Sequence, residues 1–422
     1  MKRILAFSCA VLALSAPFAA HADSQSKTKA EPYPIEYWTL RDQISNVEIS
    51  PDGKYLAFMK IASKDGNPII EIYDAANLNK EPHRLGGKSM EITTYGWVGN
   101  DEMIVAFRDQ VSKNIKGFNQ GAYKGKTALF SMDNKKFTQL NKEVTRAGNK
   151  NTFESLEFIS PLEMEEGKIL VRYAEYGRGK SYDSPDYFKM DLKSGSKELV
   201  TKADGKYRGF RFDAYGNPRF AFTSDDDATV FHYRRPGEGG WTEYYRLPTS
   251  SFEEFSYGGM VEGDPNRIYA IANNGHDVAG LWTYNLETKS FEDLVYRDDT
   301  VDVWSTSRHS NGWAKPGLVT GVTTYKDKFK TEYFDANEEA LINQFRANIP
   351  HADLVRITSR SRDGKVMIVK NDGPRDPGTF YLYNNGKFSK IGSAQGLLKP
   401  ENLADVEYIT CLLYTSPSPR DA

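Results

Sequence analysis

Cysteine is almost absent from this sequence, with Cys9 and Cys411 as the two examples among 422 residues. So few cysteines cannot form the disulfide framework of a small secreted domain. An excess of one charge is also lacking, because 57 acidic side chains balance 55 basic ones and leave a formal net charge of −2. Binding to nucleic acid or to an anionic membrane surface needs a basic excess or a basic stripe. We therefore expect no nucleic-acid partner.

Long apolar runs are missing after residue 22, and the mean hydropathy is −0.60 with 27% charged residues. These values argue against a polytopic membrane protein. Aromatic residues are abundant instead, at 13% of the chain with 25 Tyr and 23 Phe. This content is too high for a disordered chain, and Tyr and Phe favour the half-buried surface of a β-sheet. The sequence indicates a globular, β-rich protein.

Motifs for catalysis and cofactor binding are missing as well. The chain has no G-x-S-x-G nucleophile elbow, and its Gly-Lys-Ser and Gly-Lys-Thr triplets lack the preceding glycine of a phosphate-binding loop. Asp225–Asp227 is typical of an acidic turn rather than a calcium site. The histidines after residue 22 never have the i, i+4 spacing of two zinc ligands on a helix; they are His83, His232, His276, His309 and His351. We predict no catalytic residue, metal site or cofactor in this chain.

Residues 1–22 have the three parts of a secretory signal peptide. Lys2 and Arg3 precede the apolar stretch Ile4–Phe18, and Ala20–Ala22 is a small-x-small cleavage site. We expect cleavage after Ala22, a flexible segment over 23–32, export to the periplasm or beyond, and no membrane span in the mature chain. An uncleaved N-terminal anchor is the alternative.

The other end of the chain changes character abruptly. Residues up to Thr410 alternate as a strand does, whereas Cys411–Ala422 contains a cysteine and two closely spaced prolines. This stretch resembles the translated read-through of a sequencing adapter, so we interpret 411–422 as a non-native tail. A genuine Pro-Ser tail is the alternative. Without both ends the mature chain has no cysteine, which suits an oxidising compartment.

A repeat fills the middle of the sequence. Six segments share an aromatic-rich strand, a polar turn and a second short strand, as in β-hairpins. They lie at Ile70–Leu85, Ala128–Leu140, Tyr187–Val200, Val230–Leu247, Leu281–Leu294 and Phe380–Ile391. Further strand pairs precede them around turns, and they lie at Val47–Phe58, Phe210–Phe222, Ser256–Ala272 and Ile357–Val369, with weaker versions around Val98–Asp101 and Glu165–Gly167.

A seventh unit is indicated at Val301–Phe334. Because one such unit cannot bury both of its faces, radial stacking is the stable arrangement. We predict an all-β fold: a seven-bladed β-propeller of four-stranded antiparallel blades over 33–400. One segment, Asp335–Ile349, instead predicts a short surface helix with acidic residues in its first turn and Pro350 as its stop.

Two stretches resemble the propellers of the prolyl oligopeptidase family of serine peptidases. Ser50–Phe58 is similar to the signature of the first blade, and Ser361–Tyr383, with its Asp376-Pro-Gly motif, is similar to the last blade of bacterial dipeptidyl aminopeptidase and acylaminoacyl peptidase members. The resemblance covers about 33–410. It implies that an α/β-hydrolase domain with a Ser, Asp and His triad follows, and that 401–410 begins the linker to this domain, which is absent here.

By this resemblance, the parent protein is an exported serine peptidase acting on oligopeptides, and this chain is its N-terminal propeller. The propeller would gate and select peptide substrate, with its own missing hydrolase domain as partner, and would be inactive alone. No position matches the triad. Charged residues that could hold a peptide terminus are Arg108, Arg172, Glu175, Arg211 and Arg360, but solvated residues or structural ion pairs are the commoner roles, and none is assigned as a site.

Two other functions fit the same fold. A free-standing periplasmic propeller of the TolB type would bind a protein partner without activity of its own, and it shares the Ser-Pro-Asp-Gly motif. An enzyme with its site in the central channel, such as a lactonase or glycosidase, would need converging carboxylates or a metal, for which the sequence shows no convincing set.

Overall fold

The computed structural model describes residues 32–87, 89–112, 122–141, 153–176 and 185–409. The predicted signal peptide, nearly all of segment 23–32 and the tail 411–422 lie outside these residues and stay predictions. The described part folds into seven antiparallel sheets arranged as the blades of a propeller, which confirms the predicted fold and blade count. Among the described residues, no helix has both the length and the apolar character needed to cross a membrane.

The first element in the described part of the chain is a short helix, α1 (Ile35–Trp38), which the sequence did not predict. The first three blades then follow with four strands each. Blade 1 comprises β1 (Ile44–Ile49), β2 (Tyr55–Lys60), β3 (Ile69–Asp74) and β4 (His83–Gly86). Blade 2 comprises β5 (Glu91–Trp97), β6 (Glu102–Ser112), β7 (Ala122–Ser131) and β8 (Lys136–Gln139). Blade 3 comprises β9 (Phe153–Pro161), β10 (Lys168–Tyr176), β11 (Asp186–Asp191) and β12 (Lys197–Thr201).

The remaining blades follow the same order along the chain. Blade 4 comprises β13 (Arg208–Phe212), β14 (Pro218–Ser224), β15 (Ala228–Tyr233) and β16 (Thr242–Pro248). Blade 5 comprises β17 (Phe255–Met260), β18 (Arg267–Ala272), β19 (Gly280–Asn285) and β20 (Ser290–Tyr296). Blade 6 comprises β21 (Val303–Arg308), β22 (Val319–Tyr325) and β23 (Phe329–Tyr333), and is followed by α2 (Ala336–Asn348). Blade 7 comprises β24 (Leu354–Arg360), β25 (Val366–Gly373), β26 (Asp376–Asn384) and β27 (Lys387–Ser393).

Blade 6 differs from the other six because it has three strands. After β23 the chain enters helix α2, whose N-cap Asp335 accepts hydrogen bonds from the backbone N–H groups of Asn337 and Glu338. Helix α2 contacts both β23 and β24. It therefore lies between blades 6 and 7, and its apolar side is buried rather than simply resting on the surface.

The apolar core is divided into layers between neighbouring blades. One cluster joins blades 1 and 2 around Ile72 and Val105, and another joins blades 2 and 3 around Ile104 and Val171. A further cluster joins blades 7 and 1 around Val47. Since each blade buries its faces only against its neighbours, the ring is the unit that folds.

The ring closes without a strand shared between the two ends of the chain, because blades 1 and 7 are each built from one continuous segment. The Ile49 N–H donates to Ser359 Oγ at 3.0 Å, and the Arg362 N–H donates to the Pro51 carbonyl at 2.7 Å. Gly53 has a φ of +79°, and a Cβ there would lie 3.0 Å from Val366. The Pro-Asp-Gly turn therefore needs its glycine both for the turn and for close contact with blade 7.

The Asp376-Pro-Gly motif also has a structural role. The Asp376 carboxylate accepts hydrogen bonds from Asn371 Nδ2 at 2.8 Å and from the Thr379 hydroxyl at 2.6 Å, and all three side chains are buried. Asn371 in turn accepts from the Asp353 N–H at 2.9 Å. This satisfied network joins the start of β24 to the hairpin of β25 and β26.

The innermost strands of neighbouring blades run in the same direction. The Trp97 N–H of β5 points at Glu48 of β1, and Ile49 of β1 bonds to Ser359 of β24, so residues near the C-terminal ends of these strands lie side by side. We call the side on which the innermost strands begin the proximal face, and the side on which they end the distal face.

Candidate functional site: the central channel

A cavity of about 1570 Å³ lies in the middle of the ring and extends between blades 2 and 3. Its walls are formed by the innermost strands of blades 1, 2, 3 and 7, the loop after β21, and the recess between β6, β7 and β9. The lining mixes aromatic and apolar side chains such as Trp97, Phe107 and Phe158 with polar ones such as Thr93 and Ser155. A channel with this lining offers both apolar surface and hydrogen-bonding groups to a ligand.

Strand β1 is locally distorted where it faces the channel. Asn46 has a φ of +48°, and the pairing of β1 with β2 shifts register between Ser45 and Glu48. Asparagine tolerates this left-handed conformation better than most residues. The Asn46 amide donates to the Tyr95 carbonyl at 2.7 Å, while the Tyr95 hydroxyl donates to the Asn46 carbonyl at 2.5 Å. This pair of hydrogen bonds holds the bulge in place between blades 1 and 2.

The bulge places the Glu48 carboxylate in the channel wall. The side chain is half-buried, and its Oε2 accepts the Trp97 N–H at 3.4 Å. Within the described ranges, no Lys, Arg or His forms an ion pair with it. Burial raises the pKa of Glu48 to about 7, and the hydrogen bond from Trp97 opposes the shift. The Trp97 ring stacks on Tyr55 in the core between blades 1 and 2, and its indole Nε1 is buried with no hydrogen-bond partner among the described residues. Glu48 is therefore a carboxylate acceptor in the channel wall.

Titration of Glu48 gives a testable pH dependence. Because the folded pKa of about 7 exceeds the ordinary value of 4.5, the folded state binds more protons than the unfolded state between these pH values, and stability falls as pH rises through this window. The loss is on the order of 2 kcal/mol, since water partly screens a half-buried group. We expect Glu48→Gln to remove this loss, measured by urea unfolding from pH 4 to 8.

The control is Glu262→Gln, which alters an exposed carboxylate in the β17–β18 turn. Glu262→Gln should follow the wild-type curve, whereas Glu48→Gln should be the more stable protein above pH 7 and equal to wild type near pH 4. Parallel curves for wild type and Glu48→Gln would show that Glu48 ionises normally in the folded state.

Of the charged residues that sequence reasoning considered, Arg108 and Arg360 line the cavity. Arg108 pairs with Glu91, which also binds Arg41 at 3.0 Å, and its guanidinium lies 4.7 Å from the centre of the Tyr123 ring. Arg108 is therefore already engaged by blade 2. Its role is that of a structural ion pair at the channel wall.

Arg360 is engaged more deeply. Its NH1 donates to Glu338 Oε1 at 2.8 Å and to Ser310 Oγ at 3.0 Å. The His309 Nδ1 accepts the Asn311 N–H, which leaves the Nε2 proton facing Glu338 at 3.5 Å. Burial lowers the pKa of His309, although the Glu338 charge opposes the shift. The contacts of Glu338 with Arg360, Ser310 and His309 therefore connect the N-terminus of α2 to the channel wall.

The other considered residues lie outside the cavity lining. Arg172 pairs with Glu157 at 3.0 Å, and Arg211 is exposed on β13. Glu175 belongs to β10, and its side chain lies outside the described part of the structure. Sequence reasoning did not identify Glu48 as a site residue. The pattern that could have indicated it is a single acidic residue between the apolar Val47 and Ile49 of an innermost strand.

No hydroxyl–imidazole pair in the described residues faces the channel as a nucleophile with its base. Thr223 Oγ1 and His232 Nε2 lie 3.0 Å apart on blade 4, but Thr223 is buried in the sheet, and burial lowers the pKa of His232. Within the same residues, no group of three His, Cys, Asp or Glu side chains is arranged to hold a metal ion.

Both described ends of the chain lie on the proximal face. The Tyr33 hydroxyl accepts the Lys399 N–H at 2.9 Å and the Asn402 amide at 3.1 Å. The Gln43 N–H, directly before β1, donates to the Ala394 carbonyl at 2.8 Å. Residues 403–409 are largely exposed and form no strand with the other described residues.

The chain is similar in sequence to dipeptidyl aminopeptidase BIII of Pseudoxanthomonas mexicana, with 26% identity over 363 residues that cover 85% of this chain and 48% of that protein. It shares its fold with a structure from a study of two prolyl endopeptidases (TM-score 0.50, 10% identity, 83% of this chain and 49% of that chain). It also shares its fold with prolyl oligopeptidase B from Galerina marginata bound to a 35mer hydrolysis and macrocyclization substrate (TM-score 0.50, 8% identity, 86% and 52%).

No family model matches the chain. The chain spans about half the length of each of these three proteins. At 10% and 8% identity, the two structures show the fold alone, whereas the sequence similarity extends over most of this chain. The resemblance to the propeller portion of a prolyl oligopeptidase-type peptidase, predicted from Ser50–Phe58 and Ser361–Tyr383, is thereby confirmed.

Proposed function

We propose that this chain is the substrate-selecting propeller of an exported serine peptidase that acts on oligopeptides, and that the chain is inactive alone. The observation that carries the proposal is the channel of about 1570 Å³ in a ring whose two described ends lie on one face. A domain that follows residue 409 would start on this proximal face. Peptides would then reach its active site only by fitting the chamber between the two domains.

The size and lining of the channel support a peptide as the occupant. Pockets for small ligands usually measure roughly 300–1,000 Å³, and this cavity is larger. Glu48 supplies an acceptor, and the Thr93 and Ser155 hydroxyls can donate or accept, in a wall that is otherwise partly apolar, so the channel can satisfy backbone amides. A folded protein would not enter such a space.

Peptidase chemistry comes to this proposal from the relative, and the serine nucleophile comes from the family resemblance of Ser50–Phe58 and Ser361–Tyr383. Dipeptidyl aminopeptidase BIII is about twice as long as the part of it that this chain matches. The proposed hydrolase domain would supply the nucleophile, the base and the orienting carboxylate of a triad, and the propeller would supply access and peptide contacts. Export rests on residues 1–22, and the mature protein recovered from the periplasm or medium should begin at Asp23.

The proposal predicts that the 422-residue chain does not hydrolyse chromogenic peptides or esters, whereas the full-length protein from the same gene does. We would assay both under the same conditions, with and without a serine-directed inhibitor. Activity of the full-length protein that the inhibitor abolishes, with none above background for the 422-residue chain, is the expected result. Turnover by the 422-residue chain that a serine-directed inhibitor blocks would contradict the proposal. Recovery of a native chain ending near Ile409 with a stable protein partner would favour the TolB-type function.

A further inference from the structure

Blade 6 carries three exposed aromatic side chains that contact one another. Trp304, Tyr325 and Phe329, which we call the blade-6 aromatic cluster, are 66%, 51% and 42% exposed. The rings of Tyr325 and Phe329 lie 4.7 Å apart, and Trp304 lies 6.1 Å from Phe329. Aromatic side chains grouped on a surface in this way are typical of interaction sites, because isolated domains rarely leave such area in water.

The cluster lies on the proximal face. Trp304 is the second residue of β21, at the start of an innermost strand. Tyr325 and Phe329 are paired in register where β22 ends and β23 begins, at the same end of the blade. Phe252, whose side chain is fully exposed, lies in the β16–β17 connection on this face as well. The proximal face therefore presents aromatic surface on more than one blade.

The C-terminal segment leads towards the blade-6 aromatic cluster. Asp405 lies 3.7 Å from Arg375 of blade 7. The hydrogen bond and charge of Asp353 raise the pKa of Lys328, and the nearby Tyr408 adds to this shift. Tyr408 is thus near enough to Lys328, the residue directly before Phe329, for the two charges to interact. The last described residue, Ile409, is 84% exposed.

We propose that the blade-6 aromatic cluster is the docking surface for the hydrolase domain that follows residue 409. This inference rests on the proposed function. Ion pairs border the cluster, with Lys328 bonded to Asp353 at 2.8 Å and Lys330 bonded to Glu332. An aromatic centre inside a charged rim is the usual composition of a specific interface, and Trp and Tyr are common among its strongest contacts. The matching surface on the hydrolase domain is therefore apolar.

The tether favours this occupant over a second copy of the chain. A domain joined through a short linker that begins on the same face as the cluster has an effective concentration in the millimolar range. A second propeller would have to bind from dilute solution and would compete poorly. Docking here would also fix the hydrolase domain over blades 6 and 7, on the face that carries both described ends of the chain.

The direct test is hydroxyl-radical footprinting of the full-length protein and of the 422-residue chain. We expect the oxidation rates of Trp304 and Tyr325 to be roughly ten-fold lower in the full-length protein, as for residues at the centre of an interface. Tyr215 is the matched control, because it is 48% exposed in the β13–β14 turn on the distal face. Its rate should be the same in both proteins.

A pair of variants separates docking from folding. In the full-length protein, Trp304→Ser should raise the rate of proteolysis in the 401–410 linker by roughly ten-fold, as loss of a central contact would, whereas Tyr215→Ser should not. In the 422-residue chain, Trp304→Ser should leave the unfolding midpoint unchanged. Equal destabilisation of both proteins would assign Trp304 to propeller folding and overturn the inference.

Three further outcomes of these experiments would each overturn the inference, and they differ in what they imply for the proposed function. If an active hydrolase domain is present and Trp304 is oxidised equally in both proteins, the inference is wrong while the proposed function stands. If the gene encodes no such domain, both are wrong. Protection of the cluster that disappears on dilution, together with a dimer in light scattering, would make a second copy the occupant and overturn the inference.

Discussion

Replacing Phe345 with alanine should lower the free energy of unfolding by about 3–5 kcal/mol, the usual cost of removing a buried phenylalanine ring. Phe345 is 2% exposed, and its ring is stacked on Phe388 at 5.6 Å and meets Tyr383 edge-on at 5.3 Å. These contacts join helix α2 to the two outer strands of blade 7. Since blade 6 has no fourth strand to close this space, the lost ring would leave a cavity.

Urea unfolding of the 422-residue chain measures the effect, and Gln344→Ala is the control. Gln344 is the exposed neighbour of Phe345 on the same helix, so its replacement changes helix propensity little and removes no buried contact. We expect a change within about 0.5 kcal/mol for the control. If both variants lost the same stability, helix α2 would not pack as the structure shows.

Glu338→Ala is expected to be about as damaging as the loss of Phe345. Glu338 is 4% exposed and bonds to Arg360 at 2.8 Å, while its second oxygen accepts the Ser310 N–H at 3.1 Å. Removing one partner of a buried ion pair leaves the other charge uncompensated, which costs about 3–5 kcal/mol. The same urea measurement applies.

A double variant distinguishes the loss of the ion pair from the loss of packing. Glu338→Leu combined with Arg360→Met removes both charges, and buried ion pairs can be replaced in this way at little cost. We expect the double variant to be clearly more stable than Glu338→Ala. An additive loss, with each change contributing independently, would contradict the view that the two charges act as one buried pair.

The repeat made the fold predictable from sequence. Period-2 strands and Asn, Asp and Gly turns recur through the chain, and Gly53 and Asp376 occupy positions that need these residue types for local reasons. Helix α2 was also predictable, because Asp335 is its N-cap and Pro350 follows its end. Local patterns of this kind can be recognised in the sequence without knowing which blades are in contact.

The candidate site was less predictable, since its properties arise from contacts between blades. The sequence pattern indicates that Glu338 is an acidic residue in the first turn of a helix. It does not indicate its buried partner, Arg360, which belongs to the next blade. Arg360 itself was considered for a peptide terminus and instead holds α2. Glu48 lies in the channel because Asn46 adopts a left-handed conformation. No sequence motif predicts this conformation. Pairings of this kind become visible only once the ring is assembled.

The central claim is that this propeller belongs to a longer serine peptidase. The most direct measurement is the genomic sequence of the locus past the codon for Thr410. We expect an open reading frame without the 411–422 sequence, continuing for about 250 residues, the upper end of ordinary domain sizes. It should contain G-x-S-x-G, then an aspartate, then a histidine, in the order of an α/β-hydrolase. A stop codon at this point in clean genomic sequence would contradict the account.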